Sequence, residues 1–427
     1  MVNGRAFKPS DWLTEGVPIV RIQNLNNPQA PFNYCSPSAL DEKHRIQTGS
    51  FLISWSGTPG TSFGAFIWER GPAALNQHIF RCAQRTPVYY EQFLRLAINT
   101  RLDELIAKAH GGVGLQHVTK GKLEALSLVL PPLPEQHRIV ARVDELMALC
   151  DRLEAEQADA AEAHARLVDA LLAPLTASRD AAECATNWQR LHKHFDTLFT
   201  TEASITALKQ TALQLAVMGR LVPQDPNDGE RLEGQFGDFA DFLNGHAFKS
   251  SWFTKSGVRL VRNANVGHGI CNWKDVAYIS NDQAREFEKF ALLAGDLVLS
   301  LDRPIISSGL KVAWINAQDT PCLLLQRVAK VVPSTLIDIE YLYLWFNSPL
   351  FIDSIDPGRS NGVPHISTKQ VLGLPFVCPP LPEQHRIVAK VDELMALCDR
   401  LQAKLATARE HRARLADTLV QAALEAA

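Results

Sequence analysis

A 23-residue segment occurs twice in this chain of 427 residues. Residues 131–153 and 379–401 match at 22 of 23 positions, and Arg142 against Lys390 is the only difference. The offset between the copies is 248 residues. A repeat of this length predicts a tandem duplication, which constrains the fold more strongly than any shorter motif does.

The duplication extends to the start of each half. The motif Asn-Gly-Xaa-Ala-Phe-Lys stands at 3–8 and again at 244–249, and upstream of the long repeat 114–118 aligns with 362–366. The stretches between these landmarks have diverged. We therefore expect two copies of one framework that act on two different targets. Four further positions pair across the halves: Gly16 with Gly257, Val17 with Val258, Val20 with Val261, and Arg21 with Arg262.

Composition is that of a globular protein without a membrane segment or disulfide framework. The hydrophobic share is 46% and the charged share 21%. No apolar run approaches the roughly 20 residues needed to span a bilayer, and the start lacks the features of a signal peptide. The eight cysteines include no CxxC pair, which argues against a zinc site. These features predict a cytoplasmic protein that holds no metal.

The net charge of −3 is unevenly distributed. Residues 1–130 carry 13 basic and 9 acidic side chains, whereas residues 236–378 carry 13 of each. The excess acidic charge therefore lies on the repeated segments and not on the diverged ones. This distribution permits contact with DNA through the diverged segments, although it does not require it.

Both diverged segments have the pattern of mixed α/β domains. Short β-rich runs at 18–22, 51–54, 260–261 and 296–300 are separated by Gly, Asn and Pro turns. We expect a helix around 89–110 in the first and 338–347 in the second. Each segment then ends in a basic, hydroxyl-bearing turn, 117–120 or 365–369, before the sequence Pro-Pro-Leu-Pro.

After Pro-Pro-Leu-Pro the apolar residues follow a heptad, which is typical of a coiled-coil helix. From 135 to 173 such a helix is roughly 58 Å long at about 1.5 Å per residue. Pro174 is expected to end it, and 187–219 to form an antiparallel return helix. We call the row of residues at the heptad positions of each helix its seam, and Cys150 and Cys398 are expected to be small apolar members of it. The second seam is Ile387, Val391, Leu394, Cys398, Leu401, Leu405, Ala408, Leu415, Leu419 and Ala422; the first is Ile139, Val143, Leu146, Cys150, Leu153, Ala160, Leu167 and Leu171.

The repeated element PPLPEQHRIVARVDEL and the later stretch 201–226 resemble the conserved regions of specificity (S) subunits of type I restriction–modification systems. The similarity covers essentially the whole chain. It implies an α+β protein in which two α/β target-recognition domains are separated by long antiparallel coiled-coil helices, as a pseudo-twofold tandem repeat. The expected parts are 1–133, 134–222, 223–381 and 382–427. The first domain begins directly at its Asn-Gly motif, so its opening strand is expected to be missing, through truncation or completion by another chain.

The resemblance also implies a function. Each domain would recognise one half of a bipartite double-stranded DNA target, and the conserved helices would bind two methyltransferase (modification) subunits, with restriction/translocase subunits in the full complex. The S subunit would have no catalytic activity and no cofactor, because S-adenosylmethionine and ATP would belong to its partners. A stiff helical spacer suits this role because it fixes the separation of the two reading domains.

Polar and basic residues in the turns of each domain are the candidate DNA contacts. Basic residues at matched positions are expected to touch phosphate, and unmatched positions such as Gln23 and His78 to touch bases. Any one of them could equally be a solvated surface residue. The candidates are Arg5, Lys8, Arg21, Gln23, Asn24, Ser56, Thr58, Gln77, His78, Arg81, His117, Thr119 and Lys120, and in the second domain His246, Lys249, Arg262, Asn265, Arg303, Ser307, Ser308, Gln326, Arg327, Lys330, His365, Ser367 and Lys369.

The candidate partner-binding residues lie at the starts of the two long helices. They are Glu135, Gln136 and Arg138, with Glu383, Gln384 and Arg386. Two other functions compete with DNA recognition. A protein-binding coiled-coil scaffold with two variable modules is favoured by the neutral second domain. A methyltransferase is disfavoured, because neither its Pro-Pro-Tyr/Phe tetrapeptide nor a cofactor glycine motif is found, and 111–114 is expected to be a simple turn.

Overall fold

The computed structural model of the chain describes residues 1–57, 63–107, 110–112, 115–355 and 365–425. Contacts within the chain define two units, Met1–Gln157 and Ala158–Ala427. This division is coarser than the four parts expected from the sequence, which remain a prediction. Each unit is described by itself below.

The first unit combines short strands with helices. Its helices are α1 (Ile22–Asn26), α2 (Glu91–Asn99), α3 (Leu102–Ala107), α4 (Lys120–Glu124) and the start of α5 (Leu133–Ala177). Its strands are β1 (Val2–Asn3), β2 (Val17–Val20), β3 (Asn33–Cys35), β4 (Arg45–Ile46), β5 (Phe51–Ser54), β6 (Ser56–Gly57), β7 (Gly64–Ile67), β8 (Ala73–Leu75), β9 (Ile79–Cys82), β10 (His110–Gly112) and β11 (Leu115–His117).

The second unit starts with helices and continues with a mixed domain. Its helices are the remainder of α5, then α6 (Ala181–His192), α7 (Phe195–Leu198), α8 (Glu202–Val217), α9 (Asn281–Glu286), α10 (Ile339–Asn347), α11 (Pro349–Ile355), α12 (Thr368–Leu372) and α13 (Leu381–Glu425). Its strands are β12 (Leu232–Gln235), β13 (Ala240–Asn244), β14 (Val258–Val261), β15 (Gly269–Ile270), β16 (Ala277–Ile279), β17 (Ala291–Leu292), β18 (Leu297–Ser300), β19 (Ile305–Ile306), β20 (Gly309–Leu310), β21 (Val312–Trp314), β22 (Cys322–Leu324), β23 (Val328–Pro333) and β24 (Pro375–Cys378).

The two units share one sheet topology. One sheet has the order β1-β9-β5-β7 in the first unit, and β13-β23-β18-β21 with β15 added at its edge in the second. The other sheet has the order β3-β2-β8-β4 in the first and β16-β14-β22-β17 in the second. The central parallel pairs, β2 with β8 and β14 with β22, also correspond. The mixed α/β character of both domains and the duplication are thus confirmed.

The repeated Asn-Gly motif has a steric cause. In both units the backbone of this glycine runs against the turn between two strands. A Cβ atom on Gly4 would lie 2.1 Å from the carbonyl oxygen of Asn76, and one on Gly245 would lie 2.3 Å from that of Leu325. Only glycine permits this approach, and the approach places the following residue of each motif, Arg5 or His246, beside that turn.

The beginnings of the two mixed domains differ. In the second unit β13 has five residues, and before it β12 pairs antiparallel with β24. In the first unit β1 has two residues, and no described strand pairs with 127–130, which align with β24. The missing opening strand expected for the first domain stays a prediction.

The long helices α5 and α13 each contain 45 residues, which confirms the two extended helices predicted from the heptads. The expected end of the first helix was wrong, because Pro174 lies inside it. The carbonyl oxygen of Pro174 accepts hydrogen bonds from the Ser178 hydroxyl at 2.8 Å and the Asn187 side-chain amide at 3.2 Å. With these contacts the helix continues to Ala177.

The predicted apolar seam is buried only along the first part of α13, and no seam residue of α5 is buried. In α13 the first seam residues, through Cys398, are buried, whereas Leu415 and Leu419 are exposed. In α5 the seam residue Cys150 is exposed, so only the cysteine of the second copy packs as expected. Large apolar side chains thus face solvent along both helices.

The return segment consists of three helices and not the single helix expected over 187–219. The break at 199–201 has a local cause, since Thr201 and Ser204 form a reciprocal cap at the start of α8. The helices α6 to α8 enclose an apolar cluster with the end of α5 and with Cys398 of α13. In this unit α8 packs along α13.

One buried glutamine ties each mixed domain to its long helix. The side chain of Gln136 accepts a hydrogen bond from the Tyr90 amide at 2.7 Å and donates to the carbonyls of Val88 at 3.0 Å and Pro131 at 2.9 Å. Gln384 makes the same three bonds, to the Asp338 amide at 2.7 Å and the carbonyls of Leu336 at 2.9 Å and Pro379 at 2.7 Å. Both glutamines are completely buried. The start of each long helix is therefore fixed to the loop before α2 or α10.

We expect Gln136→Leu to destabilise the contact between α5 and the loop before α2 by about 1–3 kcal/mol, because it leaves a buried amide and two carbonyls without partners. Hydrogen exchange at the Tyr90 amide should accelerate. The control is Gln157→Leu at an exposed position of the same helix, which should leave that amide unchanged. Equal protection in both variants would show that the glutamine does not hold the junction.

Candidate nucleic-acid interface

Four segments of the second unit meet through backbone hydrogen bonds. The Leu301 amide donates to the Arg327 carbonyl at 2.8 Å, and the Ile366 amide donates to the Leu301 carbonyl at 3.0 Å. The Gln326 amide donates to the His246 carbonyl at 2.8 Å. We call this convergence of 245–246, 301–303, 326–327 and 365–366 the loop junction. It brings together the candidates His246, Arg303, Gln326, Arg327 and His365.

The first unit builds the same loop junction from different residues. The Trp55 amide donates to the His78 carbonyl at 3.3 Å, and the Val118 amide donates to the Trp55 carbonyl at 2.9 Å. The Arg5 amide donates to the Leu75 carbonyl at 2.8 Å, as the His246 amide does to that of Leu324. Main-chain atoms make every one of these bonds. The side chains at the junction can therefore differ between the units while these three bonds are kept.

Two arginines of the second junction have unusual backbone conformations. Arg303 has a φ of 47° and Arg327 a φ of 79°. This left-handed region costs an L-residue roughly 1–2 kcal/mol. Both side chains are exposed, and neither guanidinium has a hydrogen-bond or ion-pair partner among the described residues. Two cations are thus presented to solvent at a strained site.

A third cation lies beneath them. The Lys311 ammonium donates to the Asn263 side-chain oxygen at 2.8 Å, and the buried Ser300 hydroxyl donates to the same oxygen at 2.6 Å. Burial lowers the pKa of Lys311 from its ordinary value; the charge of Asp302 opposes this shift and that of Arg303 adds to it. Beside this network the His365 Nδ1 lies 2.9 Å from the Asp302 carboxylate.

The first junction has an aromatic and less cationic character. The indole ring of Trp55 packs against the ring of His78, with centroids 5.5 Å apart, and stacks on Phe80. The guanidinium of Arg5 lies over the ring of Phe7 and 3.9 Å from the Asp11 carboxylate. A different set of side chains therefore stands at the same place in each unit.

Three candidate DNA contacts are corrected because they are buried. Asn24 and Asn265 are completely buried, and each accepts a hydrogen bond from the arginine amide three residues before it, at 3.1 Å. Their side-chain amides donate to carbonyls of the following loop. They hold the shape of that loop and cannot reach a ligand. Ser56 is also buried, at the first junction.

Four basic candidates are occupied within the protein. Arg262 forms an ion pair with Asp275 at 3.0 Å, and Arg21 lies over the Trp12 ring and donates weakly to Asn33. Arg81 donates to the Arg45 carbonyl at 2.7 Å, and Lys330 pairs with Asp296 at 2.8 Å. The matched pair Arg21 and Arg262 is thus engaged locally, and its expected contact with phosphate stays a prediction.

The remaining candidates face solvent or lie outside the described residues. Thr58 lies outside them, and of His117 the backbone alone is described, in β11. Gln77 is half-buried, with its side chain 3.2 Å from the His78 ring. The exposed candidates are Lys8, Gln23, Thr119, Lys120, Lys249, Ser307, Ser308, Ser367 and Lys369.

The predicted partner-binding residues also divide into buried, ion-paired and available side chains. Gln136, Glu383 and Gln384 are completely buried, so they are corrected to structural residues. Arg386 forms an ion pair with Asp228. Arg138 is exposed and Glu135 half-buried, and neither side chain has a partner among the described residues. These last two are the members of the set that remain available.

Neither a metal nor a membrane site was found in the part of the chain that the structure describes. Its His, Cys, Asp and Glu residues form no group able to hold a metal ion. None of its helices combines the length and the apolar character required to cross a bilayer.

A family model described as the type I restriction modification DNA specificity domain matches residues 2–163 and 233–408. The two matches correspond to the two halves of the duplication and together cover most of the chain. The chain belongs to this family, and the resemblance noted from its repeated element is confirmed.

Two curated relatives from Escherichia coli carry related names. The EcoAI type I restriction enzyme specificity subunit is 46% identical over 357 residues, which are 74% of this chain and 61% of that relative. The EcoEI specificity subunit is 30% identical over 363 residues, with the same two coverages. The chain thus spans about 61% of the length of these relatives.

Two solved structures share the fold. A chain from a structure of a type I R-M system and its conformational transition aligns with a TM-score of 0.59 and 17% identity, over 97% of this chain and 92% of that one. The HsdS subunit from Thermoanaerobacter tengcongensis aligns with a TM-score of 0.50 and 18% identity, over 95% and 88%. These similarities confirm the α+β fold.

We expect Arg386→Glu to lower the midpoint of thermal unfolding, because it places a second carboxylate beside the largely buried Asp228. The matched variant Arg138→Glu stands at the same repeat position without an ion pair and should leave the midpoint unchanged. Scanning calorimetry of both variants measures the difference. Equal midpoints would mean that the pair with Asp228 contributes no stability.

Proposed function

We propose that this chain is the sequence-specific DNA-recognition subunit of a type I restriction–modification complex. The observation that carries the proposal is the loop junction, in which three equivalent backbone hydrogen bonds recur in the two units while the side chains differ. The family match and the names of the relatives support it. Each domain would recognise one half of a bipartite target.

The chemistry of the two junctions suits contact with base edges. Arginine can donate two hydrogen bonds to guanine in the major groove, and such a pair discriminates by about 1–3 kcal/mol. Arg303 and Arg327 are exposed and free to do so in the second domain. The first domain would use Arg5, Gln77 and His78, and the exposed Lys8 and Lys249 would contact phosphates in both. Direct contacts of these few residues would select a few base pairs per domain.

The long helices would bind the partners. Both expose apolar seam residues over much of their length, among them Leu146 and Leu153 in α5 and Leu415 and Leu419 in α13. Such faces need a partner. We propose that two methyltransferase subunits bind there and around Arg138, with restriction/translocase subunits beyond them. The chain itself would be non-catalytic, and S-adenosylmethionine and ATP would be held by the partners.

The scaffold alternative, in which the domains bind proteins, remains the competing proposal because the second diverged segment has no net charge. The two arginines at its junction, which have no partner among the described residues, favour DNA. A gel shift of duplex DNA with the chain bound to type I modification subunits tests the choice. If that complex prefers no duplex sequence over any other, the DNA-recognition proposal fails.

We expect Arg303→Ala and Arg327→Ala each to weaken binding of the specific duplex by about 1–3 kcal/mol and to relax selectivity at one position of the second half-site. Lys249→Ala is the matched control: it should weaken all sequences alike and reduce the slope of log K against log salt by about 0.9. Binding titrations over a panel of duplexes measure both effects. Arginine variants that lose affinity uniformly would exclude base contact.

Exchange of residues 1–130 for the corresponding segment of another family member should change one half of the methylated sequence and leave the other half intact. The reason is that the second domain keeps its own junction. Single-molecule methylation profiling of host DNA measures the result. A profile in which both halves change would contradict the assignment of one half-site to each domain.

A further inference from the structure

The segment 301–310 of the second unit connects β18 to β21 and carries Arg303. It begins after Ser300, the last residue of β18, and ends before Lys311, which precedes β21. Main-chain bonds close its base: the Ser300 amide donates to the Lys311 carbonyl at 3.0 Å, and the Lys311 amide donates to the Pro304 carbonyl at 2.6 Å. The base of the segment is therefore fixed to the sheet. We call residues 301–304 the Arg303 loop.

The side chain of Lys311 ties this loop to a loop of the other sheet. Its ammonium donates to the Asn263 side-chain oxygen at 2.8 Å and to the Asn263 carbonyl at 3.2 Å. The buried Ser300 hydroxyl donates to the same side-chain oxygen at 2.6 Å and lies 2.9 Å from the Asp302 carbonyl. Asn263 lies just after β14, which belongs to the sheet β16-β14-β22-β17, whereas β18 belongs to the sheet that contains β13. Lys311 and Ser300 thus join the Arg303 loop to the loop after β14.

An ammonium suits this position because it supplies only donors. Both atoms of Asn263 that it contacts are acceptors, and a lysine ammonium has three N–H groups and no lone pair. The charge strengthens both bonds, because a hydrogen bond from an ionised donor is stronger than one between neutral groups. Lys311 is half-buried, whereas Arg303 is exposed. Lys311 therefore supports the loop from within, and the guanidinium of Arg303 is the group that can meet a ligand.

A second set of contacts holds the same loop. The Ile366 amide donates to the Leu301 carbonyl at 3.0 Å, and the His365 Nδ1 lies 2.9 Å from the Asp302 carboxylate. Between these contacts Arg303 has its left-handed φ of 47°. Such a conformation persists only where the surrounding contacts over-determine the backbone. The bond from Lys311 to the loop after β14 is one of these contacts.

The first unit cannot form this tie. In the ladder of β5 and β7 the place of Lys311 is taken by Gly64, which stands opposite the last residue of β5. The place of Asn263, directly after the matched arginine, is taken by Ile22. A glycine and an isoleucine side chain supply neither the donor nor the acceptor. The tie therefore belongs to the second unit, as its two junction arginines do, and it is part of what has diverged between the halves.

We propose that Lys311 is a positioning residue for base reading in the second unit. It acts through Arg303: its bond to Asn263 fixes the Arg303 loop, and the fixed loop holds the guanidinium at one base pair. This inference rests on the proposed recognition function and adds to it a residue that determines specificity without touching a base. The role differs from that of a phosphate-binding lysine, which adds affinity for every sequence alike.

The substitution Lys311→Met tests this role in the complex with type I modification subunits. Methionine keeps a long unbranched side chain and lacks the ammonium. We expect discrimination at the base pair read by Arg303 to fall about tenfold, and discrimination at the base pair read by Arg327 to be retained. The slope of log K against log salt should stay unchanged, because no phosphate contact is lost. A reduced slope with intact discrimination would overturn the proposal, since Lys311 would then bind phosphate.

A double-mutant cycle separates positioning from general damage to the domain. In the Arg303→Ala background, Lys311→Met should have no further effect on discrimination, whereas in the Arg327→Ala background it should keep its full effect. Asn263→Leu breaks the same contact from its other end and should match Lys311→Met, so the test does not depend on one substitution. Asn263→Asp keeps the acceptor and should behave as the unaltered chain does.

Two further results would overturn this inference while the recognition function stands. One is full discrimination at the Arg303 base pair in both Lys311→Met and Asn263→Leu. The other is a loss at both base pairs that persists in the Arg303→Ala background, because the lysine would then support the whole domain. A complex that prefers no duplex sequence at all would remove the proposed function, and this inference with it.

Discussion

The buried amide of Gln136, and its equivalent Gln384, is the contact on which the architecture of each unit depends. An amide side chain offers one acceptor and two donor hydrogens, and here the loop before α2 or α10 and the Pro-Pro turn use all three. The direction in which the long helix leaves the domain is fixed by these bonds. This explains why the segment around the glutamine is nearly identical in the two halves: its geometry must be the same, and few sequences satisfy a buried amide completely.

The loop junctions follow the opposite rule. Their bonds are made by backbone atoms, so no particular side chain is needed to hold the loops together. The one requirement is the absence of a side chain at Gly4 and Gly245 beneath them. Backbone hydrogen bonds thus form the framework, and the side chains that take no part in them form the variable surface. Divergence between the two halves is concentrated where the backbone carries the structure.

Much of the fold could be predicted from the sequence, because repetition and apolar periodicity report directly on it. The strand at 51–54, the helix at 339–347 and the two long helices were predicted correctly. The end of α5 and the break before α8 were not, because both depend on side-chain caps, of Pro174 by Ser178 and at Thr201, that compete with the apolar pattern. Periodicity does not contain this information.

The candidate interface was predicted less well. Residue type alone could not distinguish the two candidate DNA contacts Asn265 and Gln326. The first is buried inside a loop, whereas the second is exposed. Nor could it show that Arg262 would pair with Asp275 while Arg327 has no partner among the residues that the structure describes. Burial and pairing are decided by partners distant in sequence. One signal was available: Asn24 and Asn265 each follow a matched arginine by three residues, a spacing that suits a loop cap.

The left-handed conformation of Arg303 and Arg327 has a consequence for how this surface can evolve. At most positions a mutation that removes a functional side chain is neutral or harmful to the folded state. At these two, replacement by glycine would relieve backbone strain, so loss of the guanidinium would be accompanied by a gain in folding free energy. When such a domain changes its target, we expect these two arginines to be replaced before other residues of the junction.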